Sequence, residues 1–288
     1  MNKVIAIIGA TASGKTAYSI ELAKEKNGEI ISADSRLVYK GFDIGTAKPT
    51  IQERCGIPHY MIDIVEPEYD YSVALYKDEA TKIINDILSR GKTPIIVGGT
   101  GLYIDILLKN YTLPRIEPDK KLREQLYELS TDKLYEIFYD LDKEGAQTIE
   151  PNDRKKIIRS IEIIKNANLP LSKSRDFADE YLYEIEWIGR NFVREELYDR
   201  INKRVDIMIE TGLVDETQYL LKKHGRIPNL VNTIGYREII QYLDKKLTLE
   251  EAKAILKQNT RNYAKRQLTW FRKNENIKWN IFPEKLKK

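Results

Sequence analysis

Apolar residues recur along this chain in two rhythms. Short, β-branched runs, Val4 to Ile8, Glu29 to Ala33, Tyr60 to Val65 and Thr93 to Val97, have the length of buried strands. Between them the apolar positions fall three and four apart. Ala17 to Lys26 has them on one face, and Ser72 to Arg90 lines up Ala80, Ile83, Ile84 and Ile87. Strand alternating with helix predicts a mostly parallel sheet with helices on both faces. From about Leu113 the rhythm changes. Pro114 and Pro118 punctuate a boundary, and Lys120 to Lys165 reads as charged amphipathic helices without a convincing strand. A strand signal returns at Tyr183 to Ile188. Helices follow at Arg194 to Thr211, Val214 to Lys223, Tyr236 to Leu243 and Leu249 to Lys273. The expected architecture is an α/β core, residues 1–112 and 184–288, interrupted by an all-helical insertion at 113–183.

The junction after the first run carries the strongest chemical signal. Gly9-Ala10-Thr11-Ala12-Ser13-Gly14-Lys15-Thr16 sits between a strand and a helix, the context a phosphate-binding loop requires. Its glycines let backbone N–H groups turn inward toward an anion, and the helix N-terminus adds positive charge there. Lys15 supplies a full charge and Thr16 a hydroxyl able to ligate Mg2+. The loop predicts a bound di- or triphosphate without saying which.

Composition narrows the class further. With 288 residues, 42% hydrophobic and 32% charged, the chain is expected to be soluble and globular. No apolar run has the length of a membrane span, and the first run leads into the glycine loop rather than into a signal-peptide cleavage site. One cysteine, Cys55, leaves no internal disulfide, and with only His59 and His224 beside it no structural zinc site is expected. A monomer in a reducing cytoplasm is expected. The net charge of +4 is modest. Its distribution says more: Lys257 to Lys273 contains no acid, and Arg261, Lys265 and Arg272 alternate with Tyr263, Trp270 and Phe271. A one-signed stripe with aromatic rings suits a polyanion with bases to stack, although Leu268 and Trp270 also suit a core.

Other candidates are weaker alone. Asp34-Ser35-Arg36 follows the second strand, whose carboxyl end should open on the ligand crevice. Asp34 is there either a turn or cap acid, or else a general base or metal partner. The strand Thr93 to Val97 ends in Gly98-Gly99-Thr100, without the acid that holds magnesium in many ATPases. Asn152-Asp153 precedes Lys155, Lys156 and Arg159 and reads equally as a cap on a solvated helix. Arg200 and Arg204 share one helical face, beside Glu195, Glu196 and Asp199 that could pair with them.

Taken together, GATASGKT (9–16), ISADSRLVYKGFDIGTAKP (31–49), GGTGLYI (98–104), PNDRKKIIRSIE (151–162), RINKRVDIMIETGLVDE (200–216), IGYRE (234–238) and RNYAKRQLTWFR (261–272) resemble the tRNA dimethylallyltransferases, also called isopentenyl-tRNA transferases. The resemblance spans nearly the whole chain. It implies transfer of a dimethylallyl group from its diphosphate to N6 of the adenosine beside the anticodon, position 37 of the tRNA. It also implies a phosphate-loop core with a helical insertion. By resemblance, Gly9 to Thr16 (Gly9, Ala10, Thr11, Ala12, Ser13, Gly14, Lys15, Thr16) and Arg204 hold the diphosphate. Thr16 ligates Mg2+, and Asp34, Lys15, Thr16 and Arg204 are catalytic. The anticodon stem-loop would meet Asp34, Ser35, Arg36, Leu37, Thr100, Arg123, Lys155, Lys156, Ile157, Ile158, Arg159, Asn232, Thr233, Ile234, Gly235, Tyr236 and Arg237. Leu37 stands where the family often has Gln. A small-molecule or nucleotide kinase, a prenyltransferase acting on free adenine nucleotides, and a nucleotide-sensing RNA-binding module remain as alternatives.

Overall fold

The structure, a computed structural model, describes residues 2–112, 116–171 and 176–282. Its first strand, β1 (Lys3–Gly9), is buried from Val4 to Gly9. Such a continuous apolar run belongs in the middle of a parallel sheet with both faces covered. That is where it sits: β1 pairs in parallel with β4 (Thr93–Gly98) on one side and β7 (Glu184–Phe192) on the other. β2 (Gly28–Ala33), β3 (His59–Tyr60) and β8 (Lys278–Phe282) complete a six-stranded sheet in the order β3-β2-β4-β1-β7-β8. Helix α1 (Lys15–Glu25) follows β1, α2 (Val73–Ser89) precedes β4, and α3 (Gly101–Leu108) follows it. The strand order reverses beside β1, so the carboxyl ends of β1, β2 and β4 open where α/β sheets place their ligands.

Two compact units result, Met1–Leu108 with Tyr181–Lys288, and Lys109–Glu180. Their boundaries lie a few residues before the expected 112/113 and 183/184. The second unit is not all-helical as expected. β5 (Lys109–Thr112) and β6 (Asp176–Tyr181) form a two-stranded sheet where the chain enters and leaves it. Pairing those two crossings gives their backbone groups hydrogen-bond partners. Helices α4 (Lys120–Tyr127), α5 (Thr131–Leu141), α6 (Lys143–Gln147) and α7 (Arg154–Ala167) fill the rest. Leu134, Phe138, Ile157, Ile158 and Ile161 are their shared core.

The first unit continues through α8 (Arg194–Glu210), α9 (Leu213–His224), α10 (Pro228–Val231), α11 (Tyr236–Leu243) and α12 (Leu249–Phe271). The expected strand Tyr60 to Val65 is corrected: only His59 and Tyr60 join the ladder. Met61 and Asp63 take left-handed backbone angles, φ 62° and 57°, which end the strand. The remainder pairs instead with the segment after Asp34, through Asp63 N–H to the Leu37 carbonyl and Ile64 N–H to that of Val38, both 2.9 Å. β8 carried no recognisable signal, because its burial does not alternate.

Candidate active site

The loop between β1 and α1 has the backbone its sequence requires. Gly14 caps α1 with φ 75°, a left-handed conformation open to glycine at little cost. Ala12 is left-handed too, at φ 62°, the kind of strain stored at ligand clamps. The first amides of α1 have no carbonyl behind them within the helix and face this curl. Lys15 Nζ donates to the Ala10 carbonyl at 2.6 Å. Its side chain keeps some exposure yet is packed in protein atoms. That burial and the nearby Arg204 charge push its pKa down to about 7, while Asp34 pulls upward. An ammonium in that position gains from an anion more than a solvated lysine does.

Three arginines approach the same loop. On α8, Arg204 Nη1 donates to Thr11 Oγ1 at 3.3 Å and Arg200 Nε to the Ala12 carbonyl at 2.9 Å. Burial, then the Arg200 charge, lower the Arg204 pKa. The surface pairing of Arg200 and Arg204 with Glu195, Glu196 or Asp199 does not form among the described residues; both side chains turn to the loop instead. Arg190, at the carboxyl end of β7, is the third, and sequence reasoning missed it. Gln267 was missed as well. Its Oε1 accepts from Thr11 N–H at 2.8 Å and its Nε2 donates to the Gly99 carbonyl at 3.0 Å. A Cβ on Gly99 would stand 2.1 Å from that Nε2, so any larger residue there would displace the Gln267 amide. Gln267 thus ties α12 to both the phosphate loop and the turn after β4.

Asp34 lies just past β2, on the same edge of the sheet. Its Oδ1 accepts from Arg36 N–H at 2.9 Å, and its charge is felt by Lys15, Tyr76, Tyr103 and Tyr263. Ser35 N–H donates to Thr100 Oγ1 at 3.2 Å. Tyr263, a half-buried ring on α12, shares a hydrogen bond with Thr100; burial and Asp34 raise its phenol to about 12. A carboxylate with one oxygen fixed, whose charge reaches Lys15 of the phosphate loop, can accept a proton from a base brought to it.

The remaining candidates scatter. Asn232 is exposed and Ile234 half-buried, but Thr233 is buried and Tyr236 fully so. The Tyr236 hydroxyl donates to Glu216 at 2.7 Å. Gly235 N–H and the Arg237 guanidinium both donate to the buried carboxylate of Glu238, at 2.8 and 2.6 Å. In the second unit, Lys155 and Lys156 are exposed on α7. The expectation that Ile157 and Ile158 touch RNA through their side chains is corrected, because both are core residues, at most 1% exposed. Arg123 makes a two-pronged contact with Glu162, at 2.8 and 2.9 Å, and Arg159 pairs with the same carboxylate. Burial pushes Glu162 up, but those partners hold it below its usual range.

Among the described residues no group of three or more His, Cys, Asp or Glu side chains is arranged to hold a metal. A divalent metal bound together with a diphosphate would need little from the protein, since such an ion takes most ligands from phosphate and water. The exposed Thr16 at the head of α1 fits that minimal role. No helix among the described residues is long and apolar enough to cross a membrane.

Comparison with known proteins agrees with this geometry. The family described as IPP transferase matches residues 37–274, and that described as isopentenyl transferase matches residues 2–63. A tRNA dimethylallyltransferase of Thermoanaerobacter sp. (strain X514) is 46% identical over 286 residues, covering 96% of this chain and 91% of the relative. One from Staphylococcus epidermidis is 47% identical over 287 residues, covering 96% and 86%. A full-length tRNA isopentenylpyrophosphate transferase from Bacillus halodurans superposes with a TM-score of 0.75 at 43% identity, covering 99% of this chain and 91% of that one. A eukaryotic dimethylallyltransferase captured acting on tRNA gives 0.83 at 28%, covering 99% and 75%. With its phosphate loop, its Asp34 edge and this likeness along nearly its whole length, the chain belongs to the IPP transferase family, the tRNA dimethylallyltransferases.

Proposed function

We propose that this protein transfers a dimethylallyl group from dimethylallyl diphosphate to N6 of the adenosine beside the anticodon, releasing diphosphate. One observation carries the reading: Asp34 follows β2 and the phosphate loop follows β1 at the carboxyl edge of one sheet, and the Asp34 charge reaches Lys15. The exocyclic amine of adenine is a poor nucleophile, and an allylic diphosphate leaves readily once its charge is neutralised. Gly9, Ala10, Thr11, Ala12, Ser13, Gly14, Lys15 and Thr16, with Arg204, bind the diphosphate and stabilise charge that grows as the C–O bond breaks. The Thr11 amide, held by Gln267, positions the loop rather than the ligand. Mg2+ held by Thr16 would add charge neutralisation at the leaving group. Asp34 accepts the N6 proton as the new C–N bond forms.

The acceptor is a loop base that can be splayed out at low cost. Asp34, Ser35, Arg36, Leu37 and Thr100 form the edge it meets, and the Lys257–Lys273 stripe supplies cations for the tRNA backbone. In the insertion, Lys155 and Lys156 are the exposed candidates for phosphate contact, Lys156 from an ion pair with Asp153 at 2.7 Å. Arg123, Arg159 and Arg237 already face carboxylates and serve as ordering residues first. The protein acts as a cytoplasmic monomer on this reading. A kinase reading is disfavoured, because β4 ends in glycines rather than an acid and the relatives are prenyltransferases. Single-turnover transfer with saturating donor and tRNA tests the assignment. Asp34→Asn should slow the step about a hundred- to ten-thousandfold with both affinities nearly unchanged. A near-normal rate would remove Asp34 as the base.

A further inference from the structure

We infer that Arg190 is a diphosphate-binding residue, a third guanidinium reaching the outer phosphate of the donor from the β7 side of the loop. This rests on the reading of Gly9 to Thr16 as the diphosphate site. β1 and β7 pair in parallel with Gly9 opposite Arg190, so the side chain leaves the sheet beside the loop. Its guanidinium lies between two rings, 4.3 Å from the centroid of Tyr18 on α1 and 4.4 Å from that of Phe282 on β8. That stack fixes its plane while leaving its edge free to donate. The edge points at the loop: Arg190 Nη2 would stand 3.9 Å from a Cβ on Gly14, and Arg200 Nη2 3.8 Å from the same point.

Arg190 has no hydrogen bond or ion pair among the described residues, and its Nε is buried without a partner. A buried guanidinium nitrogen left without an acceptor is unusual, since such groups nearly always find one. Lys15, Arg200 and Arg204 already crowd this loop with positive charge, and burial together with Arg200 disfavours the Arg190 cation. A bound diphosphate would satisfy these donors and relieve that repulsion.

Arg190→Met keeps a flexible side chain between the rings, and Arg190→Lys keeps the charge. Both are compared with the unaltered protein for affinity to inorganic diphosphate, for KM toward each substrate, and for melting temperature. The inference expects Arg190→Met to weaken diphosphate about tenfold or more and to raise the donor KM. Arg190→Lys should recover part of the loss, and the tRNA KM should stay within about twofold of normal. Unchanged diphosphate affinity would overturn it, as would a defect confined to the tRNA KM, which would assign the arginine to the RNA backbone. Equal losses of affinity and melting temperature in both variants would mark a purely structural clamp and overturn it too. Should the unaltered protein bind diphosphate yet fail to prenylate tRNA, the functional reading fails separately.

Discussion

At the scale of single residues, Lys15 offers the most direct pH signature. Its pKa near 7 in the free protein means the amine is largely neutral above that pH. A bound diphosphate restores the ammonium, so binding takes up a proton there. Affinity for dimethylallyl diphosphate, an ester whose last ionisation lies below this window, should fall by up to about tenfold between pH 8 and 9. The unfolded chain keeps Lys15 protonated to higher pH, so for this group stability of the free protein rises between pH 7 and its ordinary value. Isothermal titration with dimethylallyl diphosphate at pH 8, 8.5 and 9 measures the first effect, and a flat profile contradicts it. Arg204 makes a second case. Arg204→Ala removes a donor aimed at the leaving group and should cost about a hundredfold or more in turnover. A change below about threefold would return it to the ordinary worth of a surface charge.

At the scale of elements, the decisive links join segments far apart in the chain. Gln267 meets Thr11 across 256 positions, and Tyr263 meets Thr100 from the same helix. Gly99→Ala would drive Gln267 off both partners, because a Cβ there sits 2.1 Å from its amide nitrogen. The expected cost is about 1–3 kcal/mol of stability, with slower turnover, and thermal melts beside steady-state assays check both. An unchanged melting temperature would show that the turn can shift to absorb the methyl group. The same helix exposes Lys265 and Arg266. Neutralising both should flatten the salt dependence of tRNA binding by up to roughly two units of slope, and an unchanged slope would move the RNA contact elsewhere.

This separation explains what the sequence shows plainly and what it hides. The phosphate loop is legible because eight consecutive residues carry strand end, turn and helix start together. The helices are legible because one face of each is buried, as Tyr76, Ala80, Ile84 and Ile87 of α2 are. Asp34 is legible from its place after a buried strand. Arg190, Gln267 and Tyr263 are not, because their roles exist only once β7 and α12 lie against the loop. β5, β6 and β8 hid for another reason: short strands outside the buried interior of a sheet need no clean apolar alternation. Ile157 and Ile158 misled because they lie among basic residues in sequence while the helix turns them inward.

At the scale of the whole molecule, the sheet order puts β1, β2 and β4 side by side, and the three loops at their carboxyl ends carry Gly9 to Thr16, Asp34 and Thr100. The donor loop and the acceptor edge therefore belong to one rigid sheet in the first unit, and the basic stripe of α12 crosses both. That arrangement suits group transfer to an RNA base, the reaction for which the relatives are named. The most direct test supplies labelled dimethylallyl diphosphate to the protein with three separate partners: an anticodon stem-loop, AMP, and ATP in place of the donor. The account predicts label on the stem-loop, on the adenosine beside the anticodon, with little on AMP and no matching conversion of ATP to ADP. Label on AMP alone, or ATP turnover without any prenylated RNA, would contradict it.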